Sequence, residues 1–395
     1  MTHRVAIVGA GPSGFYASDG LLRANPELHI DIIDRLPTPY GLVRAGVAPD
    51  HQGTKAVARQ FDRLLGTPDL RFCGNIEVGR DLTWDELRAG YDAVIVATGM
   101  VKDRKLGIPG EDLPMVMGSW RFVAWLNGHP DFASGPDLSK VRRVAVIGNG
   151  NVAIDVARVL AKSADEMAKS DIVPAAGATI AAAPISEISL IGRRGPEQAS
   201  FTNNELAEMG RLARAVALVD PHALEVTAPA GDPTPERLRK TKNLELLKGF
   251  AANKAGSKPI ALRFRFNTRP TAFHPGGMDL GSHGKMKVDL VITCIGYEGE
   301  AFPAGEGIFP VGWAKRGPSG TIPTNRGESH AVAREVADWL ADRPPKSGPD
   351  PMPPCVDAAG WHRIDKAETA AGHSAGRPRV KVTDWQALLA VAEGH

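Results

Sequence analysis

A short apolar run, Val5-Ala-Ile-Val8, follows directly on the polar N-terminus and ends in glycine. Continuous apolar runs of this length mark strands covered on both faces of a parallel sheet, whereas half-exposed strands alternate apolar with polar. The pattern returns at His29–Ile33, closing on Asp34, and at Ala93–Val96, closing on Ala97-Thr98-Gly99. It restarts at Arg143–Ile147 and recurs at Ile188–Ile191 and Asp289–Ile295. Helix-compatible segments separate the runs, and strands alternating with helices predict an α/β fold with parallel sheets. The alanine-rich stretch Ala161–Pro184 predicts a helix and a looser connection. Proline-rich Arg343–Pro354 predicts a stiff linker before a final helical piece.

Composition narrows the class. With 395 residues, 43% hydrophobic and 23% charged, the chain is that of a multidomain globular protein. Its net charge of +2 excludes a whole-molecule field for nucleic acid or an anionic membrane, so charge arguments must be local. No apolar stretch reaches the ~20 residues a membrane span needs, and the N-terminal run is too short for a signal segment. A cytoplasmic protein without a membrane span is expected. The cysteines are Cys73, Cys294 and Cys355, with no C-x-x-C. That spacing argues against a redox dithiol, an iron–sulfur cluster or a cysteine zinc site, and no metal centre is expected. Three thiols build no disulfide framework, which suits a reducing compartment.

Two glycine motifs carry the chemistry. Gly9-Ala-Gly11-Pro-Ser-Gly14 follows the first strand and opens a helix. The first glycine makes the turn, the second lets backbone approach a pyrophosphate, and the third permits close helix–strand packing. Asp34, at the end of the second strand, suits ribose hydroxyls. Gly148-Asn-Gly150-Asn-Val-Ala153 repeats the motif with alanine third, and its later strand ends in Arg193-Arg194 where the first carried an acid. Guanidinium forks fit a 2′-phosphate, so the first half predicts FAD and the second NADPH. Paired arginines also read plainly as a solvated basic turn.

Longer motifs then accumulate: Pro37-Thr-Pro-Tyr-Gly-Leu-Val-Arg44 with Gly46–His51, Ile108-Pro-Gly-Glu111, Gly148–Asp155, Gly192-Arg-Arg-Gly-Pro196, Gly312–Ile322 and Gly376–Lys381. Their order and content resemble the adrenodoxin-reductase-type ferredoxin–NADP reductases over nearly the whole chain. The resemblance implies two Rossmann-like domains, the NADPH domain (107–299) inserted into an FAD domain built from 1–106 and 300–395. It implies FAD contacts from Ser13, Asp34, Leu42, Ile76 and Arg104, with Trp313 and the Gly320, Thr321 and Ile322 backbone beside the flavin. For NADPH it implies Asn149, Gly150, Asn151 and Val152 at the pyrophosphate, Arg193 and Arg194 at the 2′-phosphate, and Glu205 towards the nicotinamide. His51 and Asp155 would lie near the flavin as a hydrogen-bonded pair serving positioning and proton traffic. Plainer readings stand beside these: a core tryptophan, a loop histidine and a surface carboxylate.

The implied activity is hydride transfer from NADPH to FAD, then single electrons to a ferredoxin. Between Arg237 and Arg269 ten basic residues face one acid, Glu245, a local +9 in a chain of +2. Such a stretch would steer an acidic ferredoxin, with Arg237, Arg239, Lys240, Lys242 and Lys248 as a docking face, or would simply be a solvated surface. Two other readings stay open: an FAD/NADPH oxidoreductase with another acceptor (monooxygenase or oxidase), and an electron-feeding flavoprotein subunit. The segment between Tyr297 and Trp313 is shorter than the family's.

Overall fold

The computed structural model describes residues 2–225, 234–346, 350 and 352–395. It divides into two compact units, one of residues 1–102, 127–133 and 297–395, the other of residues 103–126 and 134–296.

In the first unit five parallel strands lie in the order Ile308–Pro310, Ala93–Val96, Arg4–Val8, His29–Asp34, Leu70–Gly74. Successive side chains of a strand point to opposite faces, and both faces here are covered. Val5 and Ile7 enter one apolar cluster with Phe15, Phe61, Val336 and Trp361. Ala6 and Val8 enter another with Ile33, Leu87 and Tyr91. Full burial of each large aliphatic chain contributes roughly 1.5–3 kcal/mol, which is why the run tolerates no polar residue. The helix Pro12–Ala24 packs on the late helix Ile322–Ala341 through a small contact, since a Cβ on Gly20 would lie 2.7 Å from that of Ala333. The C-terminal helices Ala358–Ser374 and Trp385–Glu393 complete the unit.

The second unit holds six parallel strands in the order Val116–Gly118, Leu290–Thr293, Arg143–Ile147, Glu187–Ile191, Ile260–Arg265, Ala215–Val219. A small antiparallel sheet, Ala272–His274, Gly277–Asp279 and Lys285–Lys287, is added to it in sequence. The fold is α/β with two Rossmann-like parallel sheets, as the alternating pattern predicted.

The boundaries of the units fall differently from the expected 1–106, 107–299 and 300–395. Asp103 already belongs to the second unit, because its carboxylate accepts the Trp120 N–H at 2.8 Å and the Arg121 N–H at 3.4 Å, at the start of the helix Ser119–Leu126. Residues 127–133 return to the first unit. The Asn127 amide donates to the Val47 carbonyl at 3.0 Å and its oxygen accepts from both Lys55 and Lys381. Asp131 pairs with Arg35 and Trp385. Of the linker-like segment Arg343–Pro354, residues 347–349 and 351 lie outside the described residues. The alanine-rich stretch forms two helices, Ala164–Met167 and Pro174–Ala182.

Candidate functional site

In the first unit the turn after strand Arg4–Val8 is shaped by three glycines with different duties. Gly9 has φ +113, and a Cβ on it would lie 2.4 Å from the Ala97 carbonyl oxygen. A Cβ on Gly14 would lie 2.2 Å from the Gly9 oxygen, so the helix can sit this close to the strand only without one. Gly11, the N-cap of Pro12–Ala24, is otherwise: nothing lies within 4 Å of where its Cβ would be. The protein itself does not require glycine there, and the open space beside a helix N-terminus is a cradle for a phosphate. The Pro37–Arg44 loop closes one side, with Tyr40 N–H donating to the Ala10 carbonyl at 2.7 Å and Gly41 against the Gly11 Cα. Leu42 opens the short helix Leu42–Ala45 behind it.

Asp34 ends the second strand as the sequence indicated. Its carboxylate accepts the N–H groups of Ala10 at 2.7 Å and Leu36 at 2.9 Å. Burial nevertheless pushes its pKa above the usual carboxylate value, against the pull of those two donors and of Arg35. A half-buried carboxylate with remaining acceptor capacity at the strand terminus fits ribose hydroxyls. Ile76 is a core residue on the sheet's second face, its N–H bonded to the Asp34 carbonyl.

The returning segment adds the other side of this site. Gly312, at φ +64, would place a Cβ 2.1 Å from the Ser13 hydroxyl and 3.5 Å from Asn325 Oδ1, so the helices Pro12–Ala24 and Ile322–Ala341 approach one another at this glycine. Trp313 is not a core tryptophan. It is half-buried, donates through Nε1 to the Ser319 carbonyl at 3.0 Å and stacks on Tyr297 at 5.8 Å and 21°. Gly320 (φ +85), Thr321 and Ile322 form the N-terminus of Ile322–Ala341, with Thr321 N–H donating to the Thr324 hydroxyl. Arg316 is fixed between Asn325 and Glu328. Together these groups leave backbone donors, an aromatic wall and a glycine turn around the first helix start, a donor set that fits FAD.

The second unit repeats the turn. Gly148 has φ +147, and its Cβ would lie 2.3 Å from the Cys294 oxygen, while Gly150 caps Asn151–Ala161. Asn149 and Asn151 are held in place rather than loose. The Asn149 carbonyl accepts Ser200 N–H at 2.8 Å, and Asn151 Oδ1 accepts Thr202 N–H at 2.8 Å. Val152 follows in the first helical turn. Arg193 and Arg194 are exposed at the end of Glu187–Ile191, and among the described residues neither forms an ion pair. Guanidinium groups without a carboxylate partner beside such a turn fit a phosphate, and the unit fits NADPH.

Asp155 and Glu205 come together in this unit through a residue that sequence reasoning missed. The side chain of Arg158 has no solvent exposure, and its Nη1 lies 2.8 Å from Asp155, 2.9 Å from Glu205 and 3.4 Å from Glu208. Asp155 is therefore no simple surface carboxylate. The signal was present as an i, i+3 acid–arginine pair on one helix, a spacing common on any helix surface. His51 stands in the first unit at the start of Gln52–Lys55. Arg104 falls in the second unit, its N–H bonded to the Gly296 carbonyl at 3.1 Å.

The basic stretch does not form one continuous face. Arg239 is half-buried and donates to the carbonyls of Ala199 at 3.2 Å and Phe201 at 3.0 Å, which braces the fold. Lys240 pairs with Glu236, whereas Lys242 and Lys248 are exposed and Arg237 partly so. Arg263 and Arg265 lie on a strand and lean towards Glu187. No helix among the described residues is long and apolar enough to cross a membrane.

Comparison with known proteins agrees with both turns. Residues 3–189 match the family described as pyridine nucleotide-disulphide oxidoreductase. NADPH-ferredoxin reductase FprA of Mycobacterium leprae is 36% identical, with 99% of each chain aligned. The alignment spans 464 positions against 395 residues here, so that relative carries segments this chain lacks. Mitochondrial NADPH:adrenodoxin oxidoreductase of Arabidopsis thaliana is 34% identical over 98% of this chain and 95% of its own. The structure of Mycobacterium tuberculosis FprA in complex with NADPH matches with a TM-score of 0.92 at 35% identity, covering both chains in full. The two glycine turns, the acid of the first and the arginines of the second thus stand in a chain that belongs to the adrenodoxin-reductase-type NADPH-ferredoxin reductases.

Proposed function

We propose that the protein oxidises NADPH and passes the electrons through FAD to a ferredoxin-type iron–sulfur protein. The observation that carries this reading is the contrast between its two turns: a half-buried Asp34 carboxylate beside the first, an Arg193-Arg194 fork without an ion pair beside the second. When bound, NADPH supplies a hydride and FAD accepts two electrons that can be passed on one at a time.

The chain's own residues bind and orient. Asp34 takes ribose hydroxyls, and Gly11 with the N-terminus of Pro12–Ala24 takes the FAD pyrophosphate. Ser13 and Leu42 line that cradle, while Gly320 and Ile322 present backbone N–H groups to the electron-rich edge of the flavin, Thr321 holds the helix start through Thr324, and Trp313 walls the site. Asn149, Gly150, Asn151 and Val152 serve the NADPH pyrophosphate, and Arg193 and Arg194 the 2′-phosphate. Arg158 fixes Asp155 and Glu205, with Glu205 facing the nicotinamide end of the site. His51 serves positioning and proton traffic at the flavin, since hydride transfer itself needs no protein base. Arg237, Lys240, Lys242 and Lys248 draw in an acidic ferredoxin in a salt-dependent way.

Steady-state reduction of cytochrome c tests the reading, with and without ferredoxin and with NADPH against NADH. Ferredoxin stimulation and a strong NADPH preference are expected. Replacing Arg193 and Arg194 by Ala should raise KM for NADPH about 10- to 100-fold, the loss of one or two charge-assisted hydrogen bonds, and leave NADH almost untouched. Equal loss with both nucleotides would remove the 2′-phosphate role.

A further inference from the structure

Cys73 is the penultimate residue of the strand Leu70–Gly74, at the open edge of the first unit's sheet, and its side chain is fully buried. The chain returns to this edge after residue 350. There Gly74 N–H donates to the Val356 carbonyl at 2.8 Å, and Val356 N–H donates back to the Gly74 carbonyl at 2.9 Å. This antiparallel bridge sets residue 73 beside the stretch that carries Cys355, on the same side of the ribbon. Residues 73 and 355 are diagonal neighbours across this bridge, and each thiol lies near enough to shift the other's titration. Cys355 is partly exposed and Cys73 is not, which makes one sulfur reachable from solvent and the other reachable only through it.

The electrostatics divide the pair the same way. The neighbouring Cys73 thiol and the charge of Arg71 favour the Cys355 thiolate and hold its pKa below the ordinary thiol value. The neighbouring Cys355 sulfur and burial hold the Cys73 thiol well above it. An exposed, thiolate-prone cysteine next to a buried thiol is the arrangement of an attacking and a resolving pair.

We propose that Cys73 and Cys355 form a peroxide-sensitive dithiol that closes reversibly into a disulfide. The Cys355 thiolate attacks one oxygen of hydrogen peroxide; an S–O bond forms, the O–O bond breaks, and hydroxide leaves as water with a proton from solvent. The Cys73 sulfur then attacks the Cys355 sulfenic acid; the S–S bond forms and the S–O bond breaks. Hydroxide departs with the Cys73 proton as a second water. Two thiols lose two electrons, and one peroxide becomes two waters. A dithiol reductant reverses the change by thiol–disulfide exchange.

The test treats the flavin-loaded full-length protein with graded hydrogen peroxide, alkylates remaining thiols and maps them by mass spectrometry. Cys294, in the other unit and held in its thiol form by burial and by Asp103, is the internal reference. The expected result is joint loss of alkylation at Cys73 and Cys355, a mass lower by two hydrogens, a cross-linked peptide pair and full recovery with dithiothreitol. Cys73→Ser should leave Cys355 trapped by a sulfenic-acid probe, and Cys355→Ser should leave Cys73 fully alkylated. Oxidation of wild-type Cys355 beyond the sulfenic state while Cys73 stays alkylatable would overturn the proposal. So would retention of both thiols at peroxide doses that oxidise Cys294.

Discussion

The guanidinium of Arg158 holds the carboxylate of Glu205 at 2.9 Å from a position that no solvent reaches. Removing it takes away the buried cation on which Glu205, Asp155 and Glu208 converge. Because these carboxylates are themselves partly exposed, Arg158→Met should cost about 2–4 kcal/mol, below the full value of a wholly buried pair. Urea unfolding of the protein measures this. A loss no larger than the ~0.5 kcal/mol of a surface pair would show that the cluster holds itself without the arginine.

Gly9 and Gly11 should fail differently. Gly9→Ala places a methyl against the Ala97 carbonyl at a φ of +113, so the folded state itself suffers, by about 2 kcal/mol or more. Gly11→Ala meets only open space. Its thermal midpoint without flavin should match the wild type, while flavin content after purification falls. Full flavin occupancy in Gly11→Ala would mean that no pyrophosphate lies against that residue.

His129 gives the first unit an acid limit. Its Nδ1 accepts the Asp131 N–H at 3.2 Å, which requires the unprotonated ring. Burial, with help from Arg35 and Arg44 and against Asp131, pulls its pKa down to about 4 from an ordinary 6.5. The unfolded chain therefore binds the proton first. Stability present above pH 6.5 declines as pH falls towards about 4, by about 3 kcal/mol in total. Thermal midpoints between pH 7.5 and 4.5 check this. His129→Asn keeps an acceptor for Asp131 and should flatten that part of the curve; an unchanged slope would assign it to other groups.

What the sequence made legible was whatever depends on local constraint. Gly9, Gly148 and Asp34 follow from turns that only certain residues can make, and the doubly buried strands from short runs that are mostly apolar. The strand Ile260–Arg265 was hidden because its alternation, Ile260, Leu262 and Phe264 inward with Arg263 and Arg265 outward, sits inside a stretch that reads first as basic charge. Arg239 shows the reverse, a residue that reads only as charge and also braces the backbone carbonyls of Ala199 and Phe201. Arg158 and the Cys73–Cys355 pair were invisible for one reason: their meaning lies in which distant segments meet, and no spacing records that. The missing C-x-x-C argued against a dithiol, whereas the proposed pair joins residues far apart in the chain that the sheet edge brings together.

The return of residues 127–133 to the first unit has a consequence for how such a chain can be taken apart. The second unit reads as an insertion between residues 102 and 297, but Asn127 and Asp131 lie within that insertion and serve the first unit. Excising the insertion would strand Lys55 and Lys381 around an empty place and strip Arg35 and Trp385 of their shared acid. The inserted domain is thus not a removable cassette. Its host has come to depend on a loop of its guest, and a swap of nucleotide domains between relatives would have to leave that loop behind.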